Sequence, residues 1–90
     1  MRVRWLGAAV KNLDEEAEYI AEDNAEAAAA VVTSVSYLAQ YPGIGRAGRA
    51  AGTRELVVPG TPYIVPYRVR GGEVQILRIL HGARKWPEQF

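Results

Sequence analysis

Apolar and polar side chains alternate from Met1 to Trp5, which predicts a short strand with Val3 on one face and Arg2 and Arg4 on the other. After Gly7 the period lengthens. Ala9, Val10, Leu13, Ala17 and Ile20 recur at helical spacing, with Asp14, Glu15, Glu16, Glu18 and Glu22 mostly between them, so an amphipathic helix is expected near residues 8–22. Asp23-Asn24 is a break with a good N-cap, and Glu26 falls in the first turn of a second helix, where the helix dipole favours a negative charge. That helix should run to about Gln40 on a stripe of Ala28, Val31, Val32, Val35, Leu38 and Ala39. Two helices across so short a break are expected to form an antiparallel hairpin.

Tyr41-Pro42-Gly43-Ile44-Gly45-Arg46-Ala47-Gly48-Arg49 carries helix-stop and loop chemistry. From Arg54 the β-branched and aromatic residues dominate, predicting strands over 54–58, 63–70 and 74–81. Pro59-Gly60-Thr61-Pro62 joins the first two, and Gly71-Gly72 suits a type I′ hairpin between the last two. A two-residue turn there sets Val69 against Val74, Tyr67 against Ile76 and Tyr63 against Leu80, giving one apolar face for the helices. The other face then holds Arg68, Arg70, Gln75, Ile64, Leu77, Ile79 and His81. Pro66 lies inside the middle strand, where it removes a ladder bond, so a bulge or an unpaired position is expected there. The fold class expected is α+β: a strand, a two-helix antiparallel hairpin, then a three-stranded antiparallel meander, with the helices packed on one face of the sheet.

Ninety residues make one domain, taken here as residues 1–90, because a second core would leave each half too small to hold itself by burial. Apolar residues are 49% and charged residues 23% of the chain, within the globular range. The absence of cysteine removes disulfides, thiolate metal sites and cysteine nucleophiles. No bilayer-length apolar run and no signal-peptide order are present, so no membrane association and a cytoplasmic location are expected. No cofactor and no metal site are expected.

The net charge of +1 hides a division along the chain. Residues 1–40 carry three cations and seven carboxylates, whereas residues 41–90 carry eight cations and three carboxylates. Such segregation fits an anionic partner for the C-terminal half, and it equally fits ion pairs between the halves. Seven of those eight cations are arginines, whose guanidinium groups bind phosphates and carboxylates bidentately. Arg46, Arg49, Arg54, Arg68, Arg70 and Arg84 therefore suit RNA and an acidic peptide alike. His81 is the single histidine, which excludes a two-histidine acid–base pair and leaves a structural role or one general acid or base. Gly43, Gly45 and Gly48 follow a helix and precede no Gly-Lys-Ser/Thr, so they punctuate a loop and do not cradle phosphate.

Six words in order, LDEEAEYI (13–20), NAEAAA (24–29), YPGIGR (41–46), TREL (53–56), YIVPYRV (63–69) and ILRILHGARKWP (76–87), resemble the RelE/ParE superfamily of type II toxin–antitoxin toxins. The resemblance implies a toxin of RelE/ParE-like fold that inhibits bacterial growth and is neutralised by a cognate antitoxin with an acidic C-terminal segment. Operator DNA would be bound only through that antitoxin. The surface implied for the antitoxin comprises Leu13, Ile20, Val32, Val35, Arg54, Arg68 and Arg70. Cleaving members of the superfamily cut messenger RNA on the ribosome, while ParE-like members poison DNA gyrase. Where cleaving members carry an arginine after the first aromatic of the middle strand, this chain has Ile64, and it lacks the usual lysine pair of the preceding strand. These departures and the HGAR word at 81–84 resemble the ParE branch, with gyrase as the implied target and Arg46, Arg49, His81, Arg84 and Trp86 as target contacts. In the alternative, ribosome and messenger RNA replace gyrase, and Arg54, Arg68, His81 and Arg84 carry the cleavage, with His81 moving the proton.

Overall fold

A computed structural model describes residues 1–11 and 25–82. In chain order the elements are β1 (Arg2–Trp5), a helical stretch α1 at residues 7–11, α2 (Ala25–Tyr37), β2 (Arg46–Ala47), β3 (Arg54–Val57), β4 (Tyr63–Arg70), β5 (Glu73–Ile76) and β6 (Leu80–His81). The strands form one six-stranded sheet in the order β1-β5-β4-β3-β2, and β6 pairs with the start of β4. β1 runs parallel to β5, and the other pairings are antiparallel. The expected helix break at Asp23-Asn24 and most of the first helix lie outside the described residues.

Helix α2 forms because its apolar residues return every three to four positions: Val31 and Val35, with Leu38 in the turn beyond, are buried against the sheet. Bonds from Leu38 N–H to Val35 O and from Gln40 N–H to Tyr37 O tighten the end into 3₁₀-like turns before Pro42. The sheet contributes Leu56, Val58, Tyr63, Val65, Tyr67, Val74, Ile76 and Ile79 to the same core, and Ala9, Val3 and Trp5 close it. Each fully buried side chain of this size adds roughly 1.5–3 kcal/mol. Val69 is an exception to the expected apolar face, being exposed beside the β4–β5 turn.

Gly71 and Gly72 have φ of 60° and 72°, the pair of positive values that a type I′ turn demands. The turn sets Arg70 against Glu73, Val69 against Val74 and Tyr67 against Ile76 in the expected register. Beyond Ile76 the pattern changes, and Pro66 explains why. In an antiparallel ladder, pairs that exchange both backbone bonds alternate with pairs that exchange none. Val58 N–H donates to Tyr63 O, so Val65 and Tyr67 turn their N–H groups toward β3 and Pro66 turns its ring nitrogen the other way. On that side Leu77 N–H donates to Pro66 O at 3.0 Å, and proline has no N–H for the return bond.

Regular pairing therefore stops at Ile76, and one extra residue enters before β6 resumes it. Three expectations are corrected. The last strand is two strands, Tyr63 faces His81 rather than Leu80, and Ile79 is in the core rather than on the far face. The loop over residues 41–49 also contains β2, whose pairing of Arg46 with Glu55 extends the sheet beyond the four strands anticipated.

Candidate functional site

The loop after α2 is fastened to the sheet by Tyr67. Its hydroxyl accepts the Gly45 N–H and donates to Pro42 O, both at 2.8 Å. Arg54 reaches the same loop, donating to Gly45 O at 2.9 Å and Gly43 O at 3.4 Å. A Cβ on Gly45 would lie 2.6 Å from two Tyr67 side-chain atoms, so only glycine allows the hydroxyl this close. Burial raises the Tyr67 pKa, and the Gly45 bond and the Arg54 charge only partly oppose that rise.

Held in this way, the loop and α2 border a groove of about 400 Å³ along the β2–β3 edge. Tyr37 of α2, Ile44 and Gly45 of the loop, and Leu56, Val57 and Pro59 at β3 and just beyond it line the groove. Tyr37, Ile44 and Val57 are large and exposed. Arg46 and Glu55 provide the groove's charged residues. The Glu55 carboxylate is buried and accepts from Arg46 Nη2 at 3.1 Å, Arg46 Nε at 3.2 Å and the Arg49 amide at 3.1 Å. Arg46 remains more than half exposed.

Sequence reasoning missed most of this groove. Ile44, an apolar residue between two glycines with no periodic partner, was the available signal for it. Val32 is exposed, but the 100° turn per residue puts it on the flank of α2 away from groove-lining Ser34 and Tyr37, and Val35, also expected on the antitoxin surface, is 2% exposed in the core. Leu13, Ile20, Arg84 and Trp86 lie outside the described residues.

Arg68 and Arg70 lie elsewhere, on the sheet face opposite α2. Arg68 Nε donates to Gln75 at 2.7 Å, Gln75 donates to Glu73 at 2.9 Å, and Glu73 accepts from Arg2 and Arg4 at 2.9 and 3.3 Å. Glu73 is thereby held below the ordinary carboxylate range, first by the Gln75 bond and then by Arg2, against the cost of burial. These two ion pairs join the halves of the chain through the minority charge of each, so they do not account for the segregation, and the N-terminal carboxylates from Asp14 to Asp23 lie outside the described residues.

Of the residues considered for RNA cleavage, the described ones, Arg54, Arg68 and His81, attach at separate places on the sheet. His81 pairs with Tyr63 in register, its ring edge-to-face with Tyr63 at 5.6 Å, and Arg54 pairs with Tyr67. Four residues of β4 separate those positions, roughly 13 Å of strand. Arg68 is one residue further and points to the other face, because successive side chains alternate.

A mixed sheet with α2 on one face and an apolar groove at its edge makes a small α+β domain, and comparison with known proteins assigns its family. The family described as "ParE toxin of type II toxin-antitoxin system, parDE" matches residues 3–86. The curated "Putative toxin Y4kP" of Sinorhizobium fredii is 46% identical over 91 residues, spanning 97% of this chain and 94% of that protein. "Toxin RelE2" of Caulobacter vibrioides is 36% identical over 87 residues, 92% of this chain and 97% of that one. A solved structure described as "Chromosomal ParDE TA system from P. aeruginosa" superposes with a TM-score of 0.80 at 31% identity, covering 90% of this chain and 95% of its own. The chain belongs to the ParE toxin family and is a RelE/ParE superfamily toxin of a type II toxin–antitoxin system. An antitoxin partner follows from that membership.

Proposed function

We propose that this toxin arrests bacterial growth by poisoning DNA gyrase, and that its antitoxin neutralises it by laying a segment into the groove at the β2–β3 edge. The observation that carries the antitoxin contact is the groove itself: exposed Tyr37 and Ile44 around a concave floor, with Arg46 at the rim. An apolar ridge fits the floor, and an acidic residue beside it fits the half-exposed guanidinium. Arg68 and Arg70, on the far face of the sheet, fall outside that contact.

The gyrase reading draws on the ParE family match and on the dispersal of Arg54, Arg68 and His81. General acid–base transfer needs its groups within hydrogen-bond reach of one reacting site. The likeness to a protein named Toxin RelE2 keeps messenger RNA cleavage as the second reading. Induction of the toxin without antitoxin separates the two. Trapped gyrase–DNA cleavage complexes with filamentation are expected, and rapid translation arrest with codons cut on the ribosome would overturn the gyrase reading.

A further inference from the structure

The face of the sheet opposite α2 carries a second charged assembly that the groove does not use. Arg2 and Arg4 of β1, Glu73 and Gln75 of β5, and Arg68 and Arg70 of β4 occupy matched positions on three adjacent strands. Four arginines share these positions with one carboxylate, which pairs with Arg2 and Arg4, so the patch carries a formal charge of +3. Strand spacing and rise confine their attachment points to a patch roughly 10 by 7 Å. Arg2 and Arg4 have side chains 80% and 61% exposed, so water and ligands reach them, while the Glu73 carboxylate is 9% exposed.

An ion-pair network serving only the fold would not need this surplus. One carboxylate is satisfied by one or two guanidiniums, and further cations within about 10 Å repel one another unless an anion joins them. The hydrogen-bond chain from Arg68 through Gln75 and Glu73 to Arg2 and Arg4 also lowers the entropy left to lose when the arginines grip a ligand.

The chemistry of the patch selects the kind of anion. An acidic protein segment would be expected to anchor through apolar or aromatic side chains, as protein interfaces do. The six residues of this patch include none, and Pro66 and Leu77, which continue the same face, are buried. Nucleic-acid interfaces are polar and strongly positive, and guanidiniums bind phosphate oxygens bidentately. We propose that the β1–β5–β4 face binds the phosphate backbone of a nucleic acid without reading its sequence. The proposal does not rest on gyrase being the target, nor on the groove holding the antitoxin.

The test is fluorescence anisotropy of the full chain with a labelled mixed-sequence DNA duplex and, in a second arm, single-stranded RNA of equal length. Three to four phosphate contacts predict a slope of log K against log salt of about −3 for the duplex, or about 60-fold weaker binding at 200 mM than at 50 mM. The Arg4→Ala/Arg70→Ala double variant should keep the wild-type melting temperature to within a few degrees and flatten the slope by about two. Ile44→Ala, on the groove, should leave it unchanged. Either nucleic acid bound with that slope supports the proposal and names the backbone preferred. No salt-dependent binding in either arm, a wild-type slope in the folded double variant, or equal binding of polyglutamate through the same arginines would overturn it.

Discussion

Tyr67 illustrates how one side chain sets a site some distance from its own strand. Its ring is part of the core, and its hydroxyl holds the loop that walls the groove. Tyr67→Phe keeps the ring but strands the Gly45 N–H and the Pro42 carbonyl. It should lower stability by about 1–3 kcal/mol in denaturant titration and weaken antitoxin binding. Because the Tyr67 pKa is raised in the fold, the unfolded chain releases this proton first; stability is full below pH 10 and falls as pH rises through 10 toward the raised value. The phenylalanine variant should lose that alkaline decline. Glu73 has the opposite sign. Its lowered pKa contributes stability above the ordinary value of 4.5, and that contribution is lost as pH falls through the lower folded value. Thermal melts from pH 6 to pH 2 should show a smaller acid loss for Glu73→Gln than for the wild type.

At the scale of elements, the sequence shows its turns more plainly than its interruptions. Gly71-Gly72 dictated a hairpin and its register because both positions need positive φ, and the stripe Val31, Val35 and Leu38 dictated the buried side of α2. Val35 was legible as a stripe residue, yet the same stripe could not say which members face the core and which face a partner. Pro66 announced a disturbance, but the strand it interrupts is its neighbour, through the missing donor to Leu77. That extra residue carries Ile79 inward. Ile79→Ala should therefore cost about 2–5 kcal/mol, as a buried large-to-small change does, while Val69→Ala should fall within about 0.5 kcal/mol of wild type. Equal effects in urea titrations would show that the strand continues unbroken from Val74 to His81. The strand β2 was not legible, since two residues with no apolar alternation carry no periodic signal.

Across the whole molecule, the sheet presents two surfaces of different chemistry. The groove at the β2–β3 edge is lined mostly by apolar residues with Arg46 beside them, and the patch on β1, β5 and β4 groups four arginines with Glu73 and Gln75. The composition revealed an arginine-rich half but not this division, because it depends on which strand neighbours which: Arg2 and Arg4 join Arg68 and Arg70 only through the parallel pairing of β1 with β5. Likewise Arg46, read as a target contact, lies at the groove rim against Glu55. The family membership supplies an antitoxin, and the groove proposed for it is separate from the cationic patch.

That assignment is tested most directly with Ile44→Asp, which sets a carboxylate at an exposed, groove-lining position. Burying an unpaired carboxylate costs at least about 2 kcal/mol, so the affinity for the purified antitoxin, measured by isothermal titration calorimetry, should fall about 30-fold or more. Induction of the variant should still arrest growth, now without rescue by co-expressed antitoxin. Wild-type affinity and full rescue would contradict the placement of the antitoxin in this groove.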